Sequence, residues 1–442
     1  MALMRVLFTV SDWTTNWFSL VPLGWALRSA GHDVRVACAP SQAEPVSRAG
    51  LLPVPVLVGT DLAVTARVHN CREAAAGRWP FPELPPHPDT GRPLTAPDAF
   101  DAAVWYRENI DRMAGDARRS TDDAVAFARW WRPHLVVHDL MSLEGPLVGR
   151  VLNVPALLHL WGPLGPEDPV PGVPQDEANK STFLPVDLSG AFARYGVGEI
   201  GPEVYEHVVD PCPTAVAPPL RGERLPVRHV VYNGPGPMPA WLMEPSEKPR
   251  VCVVWGTSVS TMFGESSFPV PRIAEALEGL DADVVFALTG ADRRRAGTLP
   301  RDMRLLESRV PLHLLLTGAD LAVHHAGGGC TMTALAAGTA QLTLPPGHDQ
   351  EVIAPRLTAA GVGEHLHDAE AGPEAIRSAV RRLLGDPGPL ARARELAQEM
   401  ADRPSPAALV SSLERRVEGG GRALLPPARS TRPTTTPLEV IT

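Results

Sequence analysis

The chain has 442 residues, more than one hydrophobic core ordinarily supports, so two domains are expected. Its composition is 44 % apolar and 21 % charged, which suits a folded protein and excludes a disordered one. A net charge of -9 leaves no broad basic surface for a polynucleotide, so nucleic acid is excluded and a small-molecule partner is favoured.

From the N-terminus, the only early apolar run is Val6 to Val10 after Arg5. No window approaches the roughly 20 apolar residues of a spanning helix, so no membrane insertion and a cytoplasmic location are expected. Val6 to Val10 reads as a strand, Leu20 to Ala30 as a helix with Leu20, Leu23 and Leu27 on one face, and Val34 to Ala37 as a strand. The helix ends where Gly31 can turn left-handed. This β-α-β opening predicts a parallel sheet covered by helices. The pattern recurs at Asp122 to Trp131 (helix), His134 to His138 (strand), Leu143 to Leu152 (helix) and Pro155 to Leu160 (strand). Residues 60–115 and 161–230 are rich in Pro and Arg and read as long excursions that shape an acceptor pocket. Residues 1–230 therefore form an N-terminal domain.

Residues 231–249 are a linker, with five prolines between Pro235 and Pro249. A second α/β domain at 250–403 has strands Val251 to Trp255, Val284 to Leu288, Leu321 to His324 and Gln341 to Leu344, separated by helical stretches such as Ile273 to Leu280 and Met332 to Ala337. Helices at Pro373 to Leu384, Leu390 to Met400 and Pro406 to Val417 follow, the last within a segment at 404–418, and residues 419–442 read as a disordered tail. Cys38, Cys71, Cys212, Cys252 and Cys330 form no C-x-x-C pair and read as reduced, mostly buried thiols. The sequon at Asn179-Lys180-Ser181 reads as chance.

The sharpest chemical signal is His324-His325-Ala326-Gly327-Gly328-Gly329-Cys330-Thr331, between a strand and a helix. Glycines let the backbone approach a ligand, and free N–H groups at a helix start, with the positive end of the dipole, suit a diphosphate. The alternative is a tight turn without a ligand. Pro345-Pro346-Gly347-His348-Asp349-Gln350 follows the next strand, where open α/β sheets bind ligands. Asp349 and Gln350 can pair with sugar hydroxyls, or Asp349 can cap the helix Glu351 to Ala360. Asp281-Ala282-Asp283 has the form of a metal motif but lies far from the glycine turn and reads as a solvated turn, so no metal site is assigned.

Together these elements resemble the donor-site signature of the family 1 glycosyltransferases, and the resemblance runs over nearly the whole chain to residue 417. The run from Val21-Pro22-Leu23-Gly24-Trp25 to Val36 resembles the opening of actinobacterial enzymes that attach deoxysugars to macrolide and other polyketide antibiotics. Val231-Tyr232-Asn233-Gly234 with Trp241-Leu242 does the same. The resemblance implies a GT-B fold of the α/β class: two Rossmann-like domains with parallel sheets facing a cleft. It implies inverting transfer from a dTDP-sugar to a hydrophobic aglycone, no obligatory metal and no cofactor beyond the donor substrate. As further partners it leaves open a homodimer and a cytochrome-P450-like auxiliary protein, which some relatives require.

By the same resemblance His325 would meet the diphosphate and Gly327, Gly328, Gly329, Cys330 and Thr331 would cradle it. Thr257 and Ser258 would face the same group, Asp349 with Gln350 would hold sugar hydroxyls, and the backbone at Val310 would grip the base, usually thymine. Departures from the pattern are Ala326 for a glycine, Cys330 for a threonine and Ala340 for a proline.

Inverting transfer needs a group that takes the acceptor proton. Asn16 stands where relatives place a His or Asp, and an amide cannot accept a proton at neutral pH. Asp139, after the strand ending at His138, is the preferred base, although it can equally be an N-cap. Asp12 is the second candidate, weighed against a solvated loop, and His138 reads as a packing residue. A third case is an easily activated acceptor that Asn16 merely orients. Trp13 and Trp17 are acceptor contacts by position, with core packing the alternative for Trp17 and Phe18. Two other functions remain: a degenerate donor-binding paralogue or auxiliary protein, and a sugar-nucleotide epimerase.

Overall fold

A computed structural model describes residues 3–171, 182–244, 246–306 and 310–418. The sequon at Asn179 and the tail after residue 418 lie outside the described residues. Seven strands, Arg5–Thr9 (β1), Asp33–Ala37 (β2), Pro53–Val54 (β3), Leu135–His138 (β4), Ala156–His159 (β5), His207–Asp210 (β6) and Glu223–Pro226 (β7), form one sheet in the order β3-β2-β1-β4-β5-β6-β7. Six more, Arg250–Trp255 (β8), Asp283–Leu288 (β9), Met303–Leu305 (β10), Leu321–His324 (β11), Ala340–Thr343 (β12) and Gly363–His365 (β13), form a second sheet in the order β10-β9-β8-β11-β12-β13. All their pairings are parallel.

The central strands are buried from end to end, as every residue of β4, β8, β11 and β12 shows. Helices cover both faces, so these strands carry continuous apolar runs rather than an alternation. Strand order reverses between β1 and β4 and between β8 and β11. Ligands of such sheets bind at the carboxyl ends beside the reversal. Here those ends are Thr9 and His138 in one domain and Trp255 and His324 in the other. One apolar cluster runs across both domains, joining Trp161 and Leu164 to Ala326, Met332, Leu335 and Ile353.

The two segments expected as loops contain regular structure. Within 60–115 lie the helix Leu62–Ala75 and the start of a 30-residue helix, Ala102–Trp131. Asp61 and Asp101 each cap their helix by accepting two backbone N–H bonds, a contribution of about 1 kcal/mol per cap. Within 161–230 lie β6 and the exposed edge strand β7, whose Glu223 and Arg224 give it a polar outline. The described residues of 231–249 form no strand or α-helix, only a short 3-10 turn at Ala240–Met243.

After the helix Pro387–Asp402 the chain returns to the first domain. The helix Pro406–Glu418 buries Leu409, Val410 and Leu413 against the layer containing Leu23 and Leu27. Its Glu414 Oε1 lies 3.0 Å from His32 Nε2, and Arg416 Nη1 donates to Glu223 at 2.9 Å. The five cysteines are free and buried. Among the described residues no helix is long and apolar enough to cross a membrane.

Candidate active site

The glycine turn begins at the end of β11 with two histidines of different character. His324 is fully buried; its Nδ1 accepts from the Ala326 N–H at 3.1 Å, so Nε2 carries the proton and donates to Gln341 Oε1 at 2.9 Å. That ring ties the turn to β12. His325 is half-buried, edge-on to Trp255 at 5.5 Å between ring centroids, and its Nδ1 is buried without a hydrogen-bond partner. Burial pushes its pKa down to about 4, so the ring is neutral at pH 7. A Cβ on Gly327 would fall 2.6 Å from His325 Nε2, so glycine makes room for the ring. Ala326 holds the left-handed φ of +65° that a glycine would accept more readily.

The helix Gly328–Ala337 starts immediately, with the Thr331 N–H bonded to Gly327 O at 2.9 Å. The N–H groups of Gly328, Gly329 and Cys330 precede the first intrahelical bond and remain open to a ligand. The Thr331 hydroxyl is 0 % exposed and has no hydrogen-bond partner. Cys330 packs its thiol beside Val254 and Leu315, and burial pushes its pKa up to about 12, so it offers only its backbone.

The loop after β12 is equally prepared. Asp349 occupies the N-cap position of the helix Gln350–Ala359 yet makes no capping bond, so the helix-cap alternative is not realised. It is half-buried, and desolvation pushes its pKa up to about 6. Gln350 Oε1 is buried and unpaired. A bonded buried amide is the norm, so this oxygen is an acceptor left open among the described residues.

Ser258 is half-buried in the helix Thr257–Phe263 after β8, while the side chain of Thr257 lies outside the described residues. Val310 is buried in an apolar cluster with Leu242 and Leu315. Asn233 joins the base loop to the glycine helix: its Oδ1 accepts from the His313 N–H and its Nδ2 donates to Thr333 Oγ1, both at 3.1 Å.

The first domain supplies the opposite wall. Gly162 reaches the start of the glycine helix, where a Cβ on Gly328 would fall 2.6 Å from Trp161 Cδ1. The short helix Thr14–Trp17, carrying Asn16, also contacts Gly328–Ala337. Gln42 fixes this loop: its Oε1 accepts from Thr14 Oγ1 at 3.0 Å and Trp17 Nε1 at 3.1 Å, while its Nε2 donates to Asp12 Oδ1 at 2.8 Å. Ser41 also donates to that Asp12 oxygen. Asp12 and Asn16 are half-buried, as is Trp13.

Asp139, preferred as base from its sequence position, is 0 % exposed. Its Oδ2 accepts from the Ser11 N–H at 2.7 Å and its Oδ1 from the Met141 N–H at 2.8 Å. Burial pushes its pKa up to about 6 against those bonds. The geometry is that of a clamp between the loops after β1 and β4, each carboxylate oxygen accepting a backbone N–H. His138 is buried with Nδ1 donating to Asp139 O at 2.9 Å and a pKa pushed down to about 4 by burial, a packing residue. Trp17 is 1 % exposed in the core, which removes it from the acceptor wall.

Two domain descriptions cover this arrangement: the N-terminal domain of erythromycin biosynthesis protein CIII-like proteins matches residues 25–256, and the C-terminal domain matches residues 272–415. The chain belongs to the erythromycin biosynthesis CIII-like glycosyltransferases. It is 33 % identical over 436 residues to aklavinone 7-beta-L-rhodosaminyltransferase of Streptomyces galilaeus, covering 93 % of this chain and 95 % of that one. It is 32 % identical over 430 residues to 10-deoxymethynolide desosaminyltransferase of Streptomyces venezuelae, covering 93 % and 97 %. Among solved structures, glycosyltransferase VinC in complex with dTDP superposes with a TM-score of 0.70 at 26 % identity, covering 94 % of this chain and 100 % of that one. The two-sheet architecture is accordingly the GT-B fold.

In this glycosyltransferase the residues that position the site from a distance escaped the sequence reading. Trp161 and Gly162 follow β5, and a Trp-Gly pair at a strand end was their only signal. Asn233 falls within the Val231–Gly234 match but was not read for its bonds, and Gln42 was not singled out; both act through the two ends of a side-chain amide, which a single sequence does not announce.

Proposed function

We propose that this glycosyltransferase moves a deoxysugar from a dTDP-sugar to a polyketide aglycone, with inversion at the anomeric carbon and without a metal ion. The observation that carries the donor half is the set of buried, unpaired atoms His325 Nδ1, Thr331 Oγ1 and Gln350 Oε1, placed on the two loops beside the β8–β11 reversal. They are polar groups without a partner among the described residues, of the kind a bound diphosphate-sugar would satisfy. The names of the rhodosaminyl and desosaminyl transferases, and the dTDP held by VinC, support the donor and acceptor classes.

In this reading the open N–H groups of Gly328, Gly329 and Cys330 take the diphosphate and stabilise the charge that grows on it as the glycosidic bond breaks. Ser258 and Thr257 extend that cradle, Asp349 and Gln350 hold sugar hydroxyls, and the Val310 backbone meets thymine. The acceptor oxygen attacks the anomeric carbon from the first domain, its proton passes to a carboxylate, and dTDP leaves on the opposite side. Asp12 is the better placed proton acceptor: its Oδ1 is held by Gln42 and Ser41, and its Oδ2 takes no hydrogen bond from the described residues. Asp139 holds Ser11 next to it, Asn16 orients the acceptor beside the glycine helix, and Trp13 offers an apolar surface.

The test is a mass-spectrometric screen of dTDP-deoxysugars against polyketide aglycones, with and without a cytochrome-P450-like auxiliary protein. New conjugates with release of dTDP are the expected result. Binding of dTDP without conjugates in any arm would favour a non-catalytic donor-binding protein, the reading that Asn16 motivates. Conversion of the donor without transfer would favour an epimerase.

A further inference from the structure

The helix Leu62–Ala75 belongs to the first domain by sequence, yet its polar grip is on the second. Arg67 Nε donates to Thr261 O and Asn70 Nδ2 to Met262 O, each at 2.8 Å. Those carbonyls lie in the last turn of the helix Thr257–Phe263, where no intrahelical partner exists for them. Asn70 Oδ1 meets His348 Nε2 at 3.1 Å. Because the other end of the Asn70 amide donates to a carbonyl, this end is the acceptor, and the proton sits on His348 Nε2. Asn70 is 2 % exposed, so the whole amide is committed to the other domain.

His348 stands at a φ of +56°, immediately before Asp349 and Gln350. A side chain resists that conformation, which persists only where the surroundings hold it. The surroundings are Asn70, the Phe263 ring at 5.0 Å and the His69 ring at 5.1 Å, two of the three from the first domain's helix. Gly347 closes down on the same Phe263, where a Cβ would fall 2.9 Å from Cε1. The loop carrying Asp349 and Gln350 is thus shaped from across the cleft.

We propose that Asn70 is a positioning residue for the donor sugar: by holding His348 it sets the loop that presents Asp349 and Gln350. The inference rests on the sugar-binding role given to those two residues above. The glycine part of the diphosphate cradle, on Gly328–Ala337, has no bond to Asn70. Asn70 meets the Thr257–Phe263 helix only at its far end, through Met262 O, whereas it holds His348 next to Asp349; the sugar half of the donor therefore responds more strongly to its loss. Docking of the acceptor-side helix and grip on the sugar then favour each other, as two coupled binding events must.

The test uses the full chain with dTDP and dTDP-glucose as probes, binding read by calorimetry and amide exchange of residues 345–352 read by mass spectrometry. Asn70→Ala is expected to speed that exchange and to weaken dTDP-glucose about tenfold, with dTDP changed less than about twofold. His348→Ala is expected to match it, and the double variant to be no worse than either single one, because both break one link. Wild-type affinity for both probes with unchanged exchange in Asn70→Ala overturns the proposal. Equal losses for both probes with a fall in Tm overturn it too, since they mean general loosening. Failure of the unaltered chain to bind dTDP refutes the nucleotide site itself, and this inference with it.

Discussion

Gly162 and Gly328, from different domains, approach so closely that a Cβ on Gly162 would lie 2.8 Å from the Gly328 Cα. The obstacle it would meet is backbone, which cannot swing aside as a side chain can. Gly162→Ala therefore pushes the acceptor wall off the start of the donor helix. A displacement on the order of 1 Å costs about a hundredfold in a reaction that depends on aligned atoms. Steady-state turnover of the variant should fall by that order, more than its affinity for dTDP; a wild-type rate would show that the close approach has no bearing on transfer.

Asp12 and Asp139 separate by experiment. Removing the proton acceptor in Asp12→Asn is expected to lower kcat about 10²- to 10⁴-fold with little change in Tm. Asp139→Asn turns a donor toward the Ser11 or Met141 N–H, both of which now point at an oxygen. An unsatisfied buried pair costs about 1–3 kcal/mol, so thermal unfolding should move down by several degrees. Unchanged turnover in Asp12→Asn would exclude it as the base.

Asp349 gives the site a pH dependence. Its carboxyl, raised to about 6 by burial, is ionised at pH 7 and protonated at pH 5. An ionised carboxylate accepts from sugar hydroxyls, so affinity for a dTDP-sugar should fall by about tenfold from pH 7 to pH 5. The Asp349→Asn variant should lack that limb with the same dTDP-sugar; calorimetry across the range decides it. For folding the sign is opposite. A raised carboxyl pKa contributes stability that is present below the ordinary value and disappears as pH rises through about 6.

Thr331 sets stability against function. Its hydroxyl is fully buried and unpaired in the free protein, so Thr331→Val removes an unsatisfied group at almost constant volume. The folded state should gain about 1 kcal/mol, seen as a higher Tm, while dTDP binding weakens. A variant that loses stability, or binds dTDP unchanged, would mean the hydroxyl has a different role.

The donor half was legible because its signals are local. Apolar runs mark β8, β11 and β12, and three glycines directly after a strand mark a helix start that admits a ligand. β3, β6, β7, β10 and β13 were missed because β3 is only Pro53–Val54 and the others mix charged or polar residues into runs of three or four, without a long apolar stretch. The helix Leu62–Ala75 was missed because its inner face includes Asn70 and Cys71, and reads as polar. The setting of Asp139 was hidden for another reason. Its position after β4 could be read, but the Ser11 amide that seals it comes from the loop after β1, 128 residues earlier, brought alongside only by the pairing of β1 with β4.

The helix Pro406–Glu418 has a consequence for anyone recombining such enzymes. The polypeptide passes between the domains once at residues 231–249 and again before Pro406, so two tethers join them. A chimera spliced only at the proline-rich segment would deliver Leu409, Val410 and Leu413 from one parent to a socket built by the other. The exchangeable N-terminal module is discontinuous: residues 1–230 together with 404–418, the helix Pro406–Glu418 travelling with the strands and helices it packs on.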